Sequence, residues 1–226
     1  MALLLNFILG SIAKRCTLCC SGQYIEGSVT MELSYLNIKT DNGHMYGGDQ
    51  SLFGKLSAHS GCGMIAVCDT ILFLRHGEGY SLSLGEYTSF VEDIRDNEVY
   101  RNRLNLIGVP PGLIIKILKK HTGEDFHFRG KGNFSPDGLR QIIEDSLLKE
   151  VPVIVRIGAN GNKLPYKIIF PASGHDVRTG KMSWHYITVT GITDSGTVIF
   201  SSWGGRGEMK LSDLYRYFGV TGGIIT

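Results

Sequence analysis

A thiol, an imidazole and a carboxamide define the chemistry open to this 226-residue sequence. The thiol is Cys62, in the stretch His59-Ser60-Gly61-Cys62-Gly63-Met64-Ile65-Ala66-Val67-Cys68, where a small turn opens into an apolar helix. Gly61 and Gly63 let other groups approach the sulfur closely. The positive end of the helix dipole is expected to lower the thiol pKa and raise the thiolate fraction used in nucleophilic catalysis. Cysteine is also among the most buried residue types, so a packing role stands beside the catalytic one. A thiol nucleophile needs a base within hydrogen-bond reach. His44, His59, His76, His121, His127 and His175 fall in loops or polar helix ends, whereas His185 begins the apolar strand His-Tyr-Ile-Thr-Val-Thr-Gly, where the sheet would fix its ring. A satisfied core histidine is the competing reading. Gln50 lies 12 residues before Cys62, within loop reach. It is read either as an amide donor to an oxyanion or as an ordinary surface glutamine. Cys68, six residues after Cys62, falls on another face of the helix and is assigned to packing.

The elements that must position these groups can be read from pattern and punctuation. Val29 to Lys39 reads as extended and Thr40-Asp41-Asn42-Gly43 as a turn. Ser83-Leu84-Gly85-Glu86 has the form of a capping box and opens a helix expected to run to about Tyr100. Pro110-Pro111 starts another helix ending near Gly123, and Ser135-Pro136-Asp137-Gly138 caps an amphipathic one carrying Leu139, Ile142, Ile143 and Leu147. The character then changes. Val151 to Ile157, Lys167 to Phe170, Trp184 to Gly191, Thr197 to Ser202 and Gly222 to Thr226 read as strands, with Asn160-Gly161 as a turn and Leu211 to Phe218 as the one late helix. Helices first and strands last predict an α+β fold with a helical N-terminal lobe, an antiparallel β-sheet C-terminal lobe and a cleft between them.

Composition narrows the function classes. The net charge is +2, from 23 basic and 21 acidic residues, which gives no electrostatic reason to expect nucleic acid as a partner. The hydrophobic share of 42% is that of a folded globular chain. Five cysteines, three of them crowded at Cys16, Cys19 and Cys20, lack the spacing of a disulfide scaffold, and Cys16-x-x-Cys19 has no second half for a zinc site. No phosphate-cradling glycine motif is present in the right context. The sequence therefore predicts no metal and no cofactor, and a reducing, cytoplasmic location. Met1 to Gly10 is apolar but followed, not preceded, by Lys14-Arg15, and it is shorter than the about 20 residues that span a bilayer. It is read as a packing helix, with peripheral membrane contact through residues 1-15 as the alternative.

The pattern resembles the papain-like cysteine peptidases, and most closely the bacterial C39-like group. The resemblance rests on Gly61-Cys62-Gly63 at a helix start, on His185-Tyr186-Ile187-Thr188-Val189-Thr190-Gly191, and on Ser201-Ser202-Trp203-Gly204, which matches an Asn-Ser-Trp-Gly segment except at its first residue. The stretch from Leu148 to Val155 also resembles the family's strand after a helix. Coverage runs from about Tyr46 to Gly219, which implies an N-terminal extension over 1-45 and a single papain-like two-lobed domain over 46-226. The resemblance implies that Cys62 attacks an acyl carbon, His185 moves the proton, Ser201 orients His185, and Gln50 with the Cys62 backbone N–H holds the oxyanion. Trp203 would shield the histidine's contact from water or simply pack. The sequence departs from the family at Ser201, which stands where Asn or Asp is usual and carries no charge, and at Leu56, which stands where the family's glutamine is expected. The Cys62 to His185 interval of 123 residues is also slightly short of the about 130–150 of true papains. The activity expected is a cysteine hydrolase, a peptidase acting on a peptide or other acyl substrate. An acyl or peptidyl transferase and a catalytically silent binding module of the same fold are the alternatives.

Overall fold

The computed structural model describes residues 30–54, 61–99, 108–159, 164–171 and 176–226. The apolar N-terminal run, Cys16, Cys19 and Cys20, and the Asn160-Gly161 turn lie outside the described residues.

Twelve strands and five helices are described, a mixed α+β architecture. Strands β1 (Thr30–Glu32), β2 (Asn37–Thr40) and β3 (Gly43–Tyr46) come first. They are followed by α1 (Cys62–His76), β4 (Ser81–Ser83), α2 (Leu84–Ile94), α3 (Pro111–Thr122), β5 (Phe128–Gly130) and α4 (Pro136–Leu147). The remainder is β6 (Val153–Ile157), β7 (Leu164–Ile169), β8 (Val177–Met182), β9 (His185–Thr193), β10 (Thr197–Ser202), β11 (Gly205–Lys210), α5 (Leu211–Tyr217) and β12 (Gly223–Ile225).

Nine strands make one sheet in the order β5-β12-β6-β9-β10-β11-β7-β8, with β1 also pairing β9, and every pair in it is antiparallel. A second sheet, β3-β2-β4, joins β2 to β4 in parallel. Within the stretch expected as an extension, β1 pairs with β9 and β2 with β4, so residues 30–45 are woven into both sheets. The helices-then-strands order is thus crossed by β1 and β5, which return to the main sheet from the helical half. From Thr30 on, the run expected as one extended segment is two strands with a break between them: Leu36 is fully buried and Gly47 donates to its carbonyl, a contact outside either ladder.

The helix ends follow local chemistry. Ser83 and Glu86 form a reciprocal capping box at α2, with Ser83 N–H to the Glu86 carboxylate at 2.8 Å and Glu86 N–H to Ser83 Oγ at 3.2 Å. Ser135 accepts from Gly138 N–H and Pro136 opens α4, while Gly123 closes α3 with φ 79°. α2 stops at Ile94, short of the expected Tyr100, and passes into a wider turn over Arg95–Val99.

Strand β9 is buried along nearly its whole length. It lies between β6 and β1 on one side and β10 on the other, with α1 and α4 packed on it. The alternation read from Trp184 to Gly191 is therefore not inside against outside; it separates two buried faces. Among the described residues no helix is long and apolar enough to cross a membrane.

Ser83, the N-cap of α2, exchanges hydrogen bonds with Glu86 in both directions, so its loss tests how local capping supports the fold. Ser83→Ala is expected to cost about 1 kcal/mol, read as a lower urea midpoint with an unchanged slope.

Candidate active site

Helix α1 begins at Cys62 with Gly61 as its cap and no side chain capping the first turn. Its first N–H groups are thus left to other acceptors. The backbone of Cys62 and Gly63, and that of Tyr186 across on β9, favours the ionised form of the sulfur. Burial outweighs them and pushes the thiol above its usual value. The lowered pKa expected from the helix terminus is corrected here, because desolvation is the larger effect.

The sulfur opens on a small cleft of about 250 Å³, part of it open to solvent. Gly48, Gln50, Cys62, Asp69, Ser201 and Trp203 are among its lining residues. Gln50 therefore lines the same cleft as the thiol, although Leu56 holds the position nearer in sequence. It starts a short 3-10 turn capped by Asp49, whose carboxylate accepts from Ser51 N–H at 2.8 Å, and it is 8% exposed, not a surface glutamine.

His185 stands one layer behind. Its ring is not part of the cleft lining; it reaches that lining through Ser202 and Trp203. Nε2 is 2.8 Å from Ser202 Oγ, and the ring stacks on the Trp203 indole at 4.1 Å between centroids and 13° between planes. Burial holds the imidazole down to about 3, helped by the Arg178 guanidinium, so the ring is neutral at physiological pH.

Ser201 is not the residue that meets the imidazole. Successive side chains of a strand face opposite sides. Ser201 lies opposite Thr188 and so shares the face of the even-numbered β9 residues. It donates to the Tyr46 carbonyl at 2.9 Å. Ser202, one step on, takes the face of His185. The residue expected to orient His185, Ser201, is thus replaced in that contact by its neighbour Ser202.

Both tryptophans of the sequence flank this pair in left-handed backbone, Trp184 at φ 52° and Trp203 at φ 50°. A bulky residue held there stores about 1–3 kcal/mol of strain. At Trp203 the turn goes with the ring stack on the imidazole; at Trp184 the ring is left 64% exposed beside His185.

Asp69 and Tyr186 were passed over in the sequence. Asp69 is seven residues after Cys62, two turns along the same face of α1, and it is a carboxylate 1% exposed in an apolar helix. Periodicity could have found it: a charged residue on the buried stripe below a candidate nucleophile needs a reason. Burial raises it to about 6, against the lowering effects of Gly48 N–H and Tyr87. Tyr186 lies with its ring against Gly63, where a Cβ would stand 3.1 Å from it. Among the described residues no group of three or more His, Cys, Asp or Glu is placed to hold a metal ion.

No protein-family model matches the sequence, and comparison with curated proteins gives no match.

Two pH responses follow from these shifts. With the thiol raised and the imidazole neutral, alkylation of Cys62 by iodoacetamide is expected to climb about tenfold per pH unit from pH 6 to 8; a plateau there would mean a preformed thiolate. His185 is protonated in the unfolded chain below about 6.5 but in the fold only near 3. The stability it contributes is complete above 6.5 and is lost as pH falls towards 3. Wild type should lose on the order of 3 kcal/mol more than His185→Gln between pH 6.5 and 4 in denaturant titrations.

Proposed function

We propose that the protein is a cysteine hydrolase of papain-like organisation, cleaving an amide or related acyl bond through a thioester on Cys62. The observation that carries this reading is the convergence of Gln50, from the segment after β3, and Cys62, from the start of α1, on one cleft whose wall includes the two residues that hold His185.

The chemistry follows from the atoms. Ser202 occupies Nε2, which leaves Nδ1 as the ring nitrogen able to take the thiol proton. For Nδ1 to be the acceptor, Nε2 carries the hydrogen and donates to Ser202 Oγ. In the acylation step the sulfur bonds to the acyl carbon as its proton passes to His185. The carbonyl electrons move to oxygen, where the Gln50 amide and the Cys62 N–H stabilise the charge. Collapse breaks the bond to the leaving amine, which receives the proton back from His185, and water then releases the acid by the same route. Both partners start neutral, so the proton moves with attack, as in a serine–histidine couple. The Ser202 hydroxyl orients the ring but offers no charge to stabilise imidazolium, which sets a ceiling on the rate.

A silent binding module of the same fold is favoured by one observation: the imidazole lies behind the cleft lining while the thiol is held above its usual pKa. Acylation separates the two readings. With p-nitrophenyl acetate, wild type is expected to release a burst of p-nitrophenolate and carry one acetyl group on the Cys62 peptide. Cys62→Ala should abolish the burst with little change in melting temperature, and His185→Ala should slow it about 10²–10⁴-fold. Acetylation of Cys62 no faster than that of a free thiol would leave the binding module.

A further inference from the structure

The segment Gly47-Gly48-Asp49-Gln50 must carry a buried carboxamide to the cleft, yet its first three residues belong to neither helix nor sheet. Its backbone is held at several points. Gly47 N–H donates to Leu36 O at 3.1 Å, Gly48 O accepts from Gly204 N–H at 3.0 Å, and Gly48 N–H donates to Asp69 Oδ2 at 2.9 Å. Asp69 Oδ1 accepts from Tyr87 Oη on α2 at 2.7 Å. No side chain fits between these groups: a Cβ on Gly47 would stand 2.2 Å from Ser201 Oγ and 2.7 Å from Asp69 Oδ2, and one on Gly48 would stand 1.7 Å from Tyr87 Oη. The two glycines explain why the segment can press against α1, and Asp69 is the side chain it presses on.

We propose that Asp69 is a positioning residue for Gln50: by taking the Gly48 N–H from the same helix stripe that presents Cys62, it fixes the oxyanion donor relative to the nucleophile. The catalytic half of this inference rests on the hydrolase reading above; the structural half does not. A charged acceptor gives the stronger hydrogen bond, and a carboxylate buried under apolar surface is costly to keep unless it is put to use. Tyr87, itself fully buried, turns the carboxylate so that Oδ2 meets the glycine. Asparagine could reproduce both contacts, accepting from Gly48 N–H through Oδ1 and donating to the Tyr87 oxygen through Nδ2; alanine can make neither.

Two measurements on the full chain test it. In hydrogen exchange followed by mass spectrometry, Asp69→Ala is expected to speed exchange of peptides spanning Gly47 to Phe53 by about tenfold or more, while α1 and β9 peptides keep their protection and Asp69→Asn restores the wild-type rate. Unchanged exchange in that segment, or loosening of α1, α2 and the sheet in step with it, overturns the clamp. In p-nitrophenyl acetate acylation, Gln50→Ala is expected to cost about 10²-fold. Asp69→Ala should cost at least tenfold in the wild-type background and under twofold in the Gln50→Ala background, because the two act as one unit. Equal losses in both backgrounds overturn the action through Gln50. A wild type that acylates no faster than a free thiol defeats the hydrolase reading and the catalytic half with it, and the exchange result then decides the clamp alone.

Discussion

The close approach of α1 to β9 is the constraint from which the site follows. Gly63, at the second position of the helix, lies against the Tyr186 ring, where a Cβ would stand a tight 3.1 Å from it. A side chain there would need the Tyr186 ring or the first turn to give by a few tenths of an ångström, close to the Tyr186 backbone that favours the thiolate of Cys62. An apolar helix packed on a buried strand gives the approach its driving force. Ile65, Ala66, Val67, Ile71 and Phe73 are buried on the helix, as are Ile187 and Val189 on the strand. A methyl-sized change at one position would therefore be felt at the sulfur, because close-packed interiors transmit displacement.

That packing also sets the electrostatics. Removing water from around the thiol and the imidazole favours the uncharged form of each, which raises one pKa and lowers the other. The only side-chain carboxylate among the described cleft-lining residues is that of Asp69, and it too is pushed towards its neutral form. Cys62 and His185 are thus neutral at physiological pH, Asp69, raised only to about 6, stays mainly a carboxylate, and the rest of the cleft lining carries dipoles in place of standing charge. In such surroundings, aimed N–H groups interact more strongly with a charge that appears during a reaction than they would in water.

Much of this was legible in the sequence, for reasons that differ from residue to residue. The α4 cap at Ser135-Pro136, the α3 stop at Gly123 and the span of β10 are local signals, and the chain obeys them. Cys62 stood out as a candidate because glycines on both sides of a cysteine before an apolar run leave its sulfur open to approach, and it does start α1 and line the cleft. Long-range pairing was not legible. Whether Ser201 or Ser202 faces His185 depends on the register of β10 against β9, and a strand period of two makes a one-residue error a change of face. Strand β8, with its exposed and charged residues, and β11, with two glycines, carry no period-two apolar signal, so the place of β8 at the sheet edge and of β11 between β10 and β7 comes only from pairing partners.

The tryptophans show how far the strand ends have been bent to serve the pair they enclose. A chain leaving β10 in extended conformation would carry Trp203 to the face opposite Ser202, away from the imidazole; the left-handed turn at φ 50° accompanies a ring laid flat on His185 instead. Its other neighbours, the Tyr166 ring at 5.3 Å and the Arg178 guanidinium at 5.3 Å, keep the indole in place. Strain of this kind persists only where surrounding contacts over-determine it. Here those contacts come from β7, β8 and β9, so β7 and β8, which share no residue with the cleft, nonetheless help decide where its Trp203 wall stands.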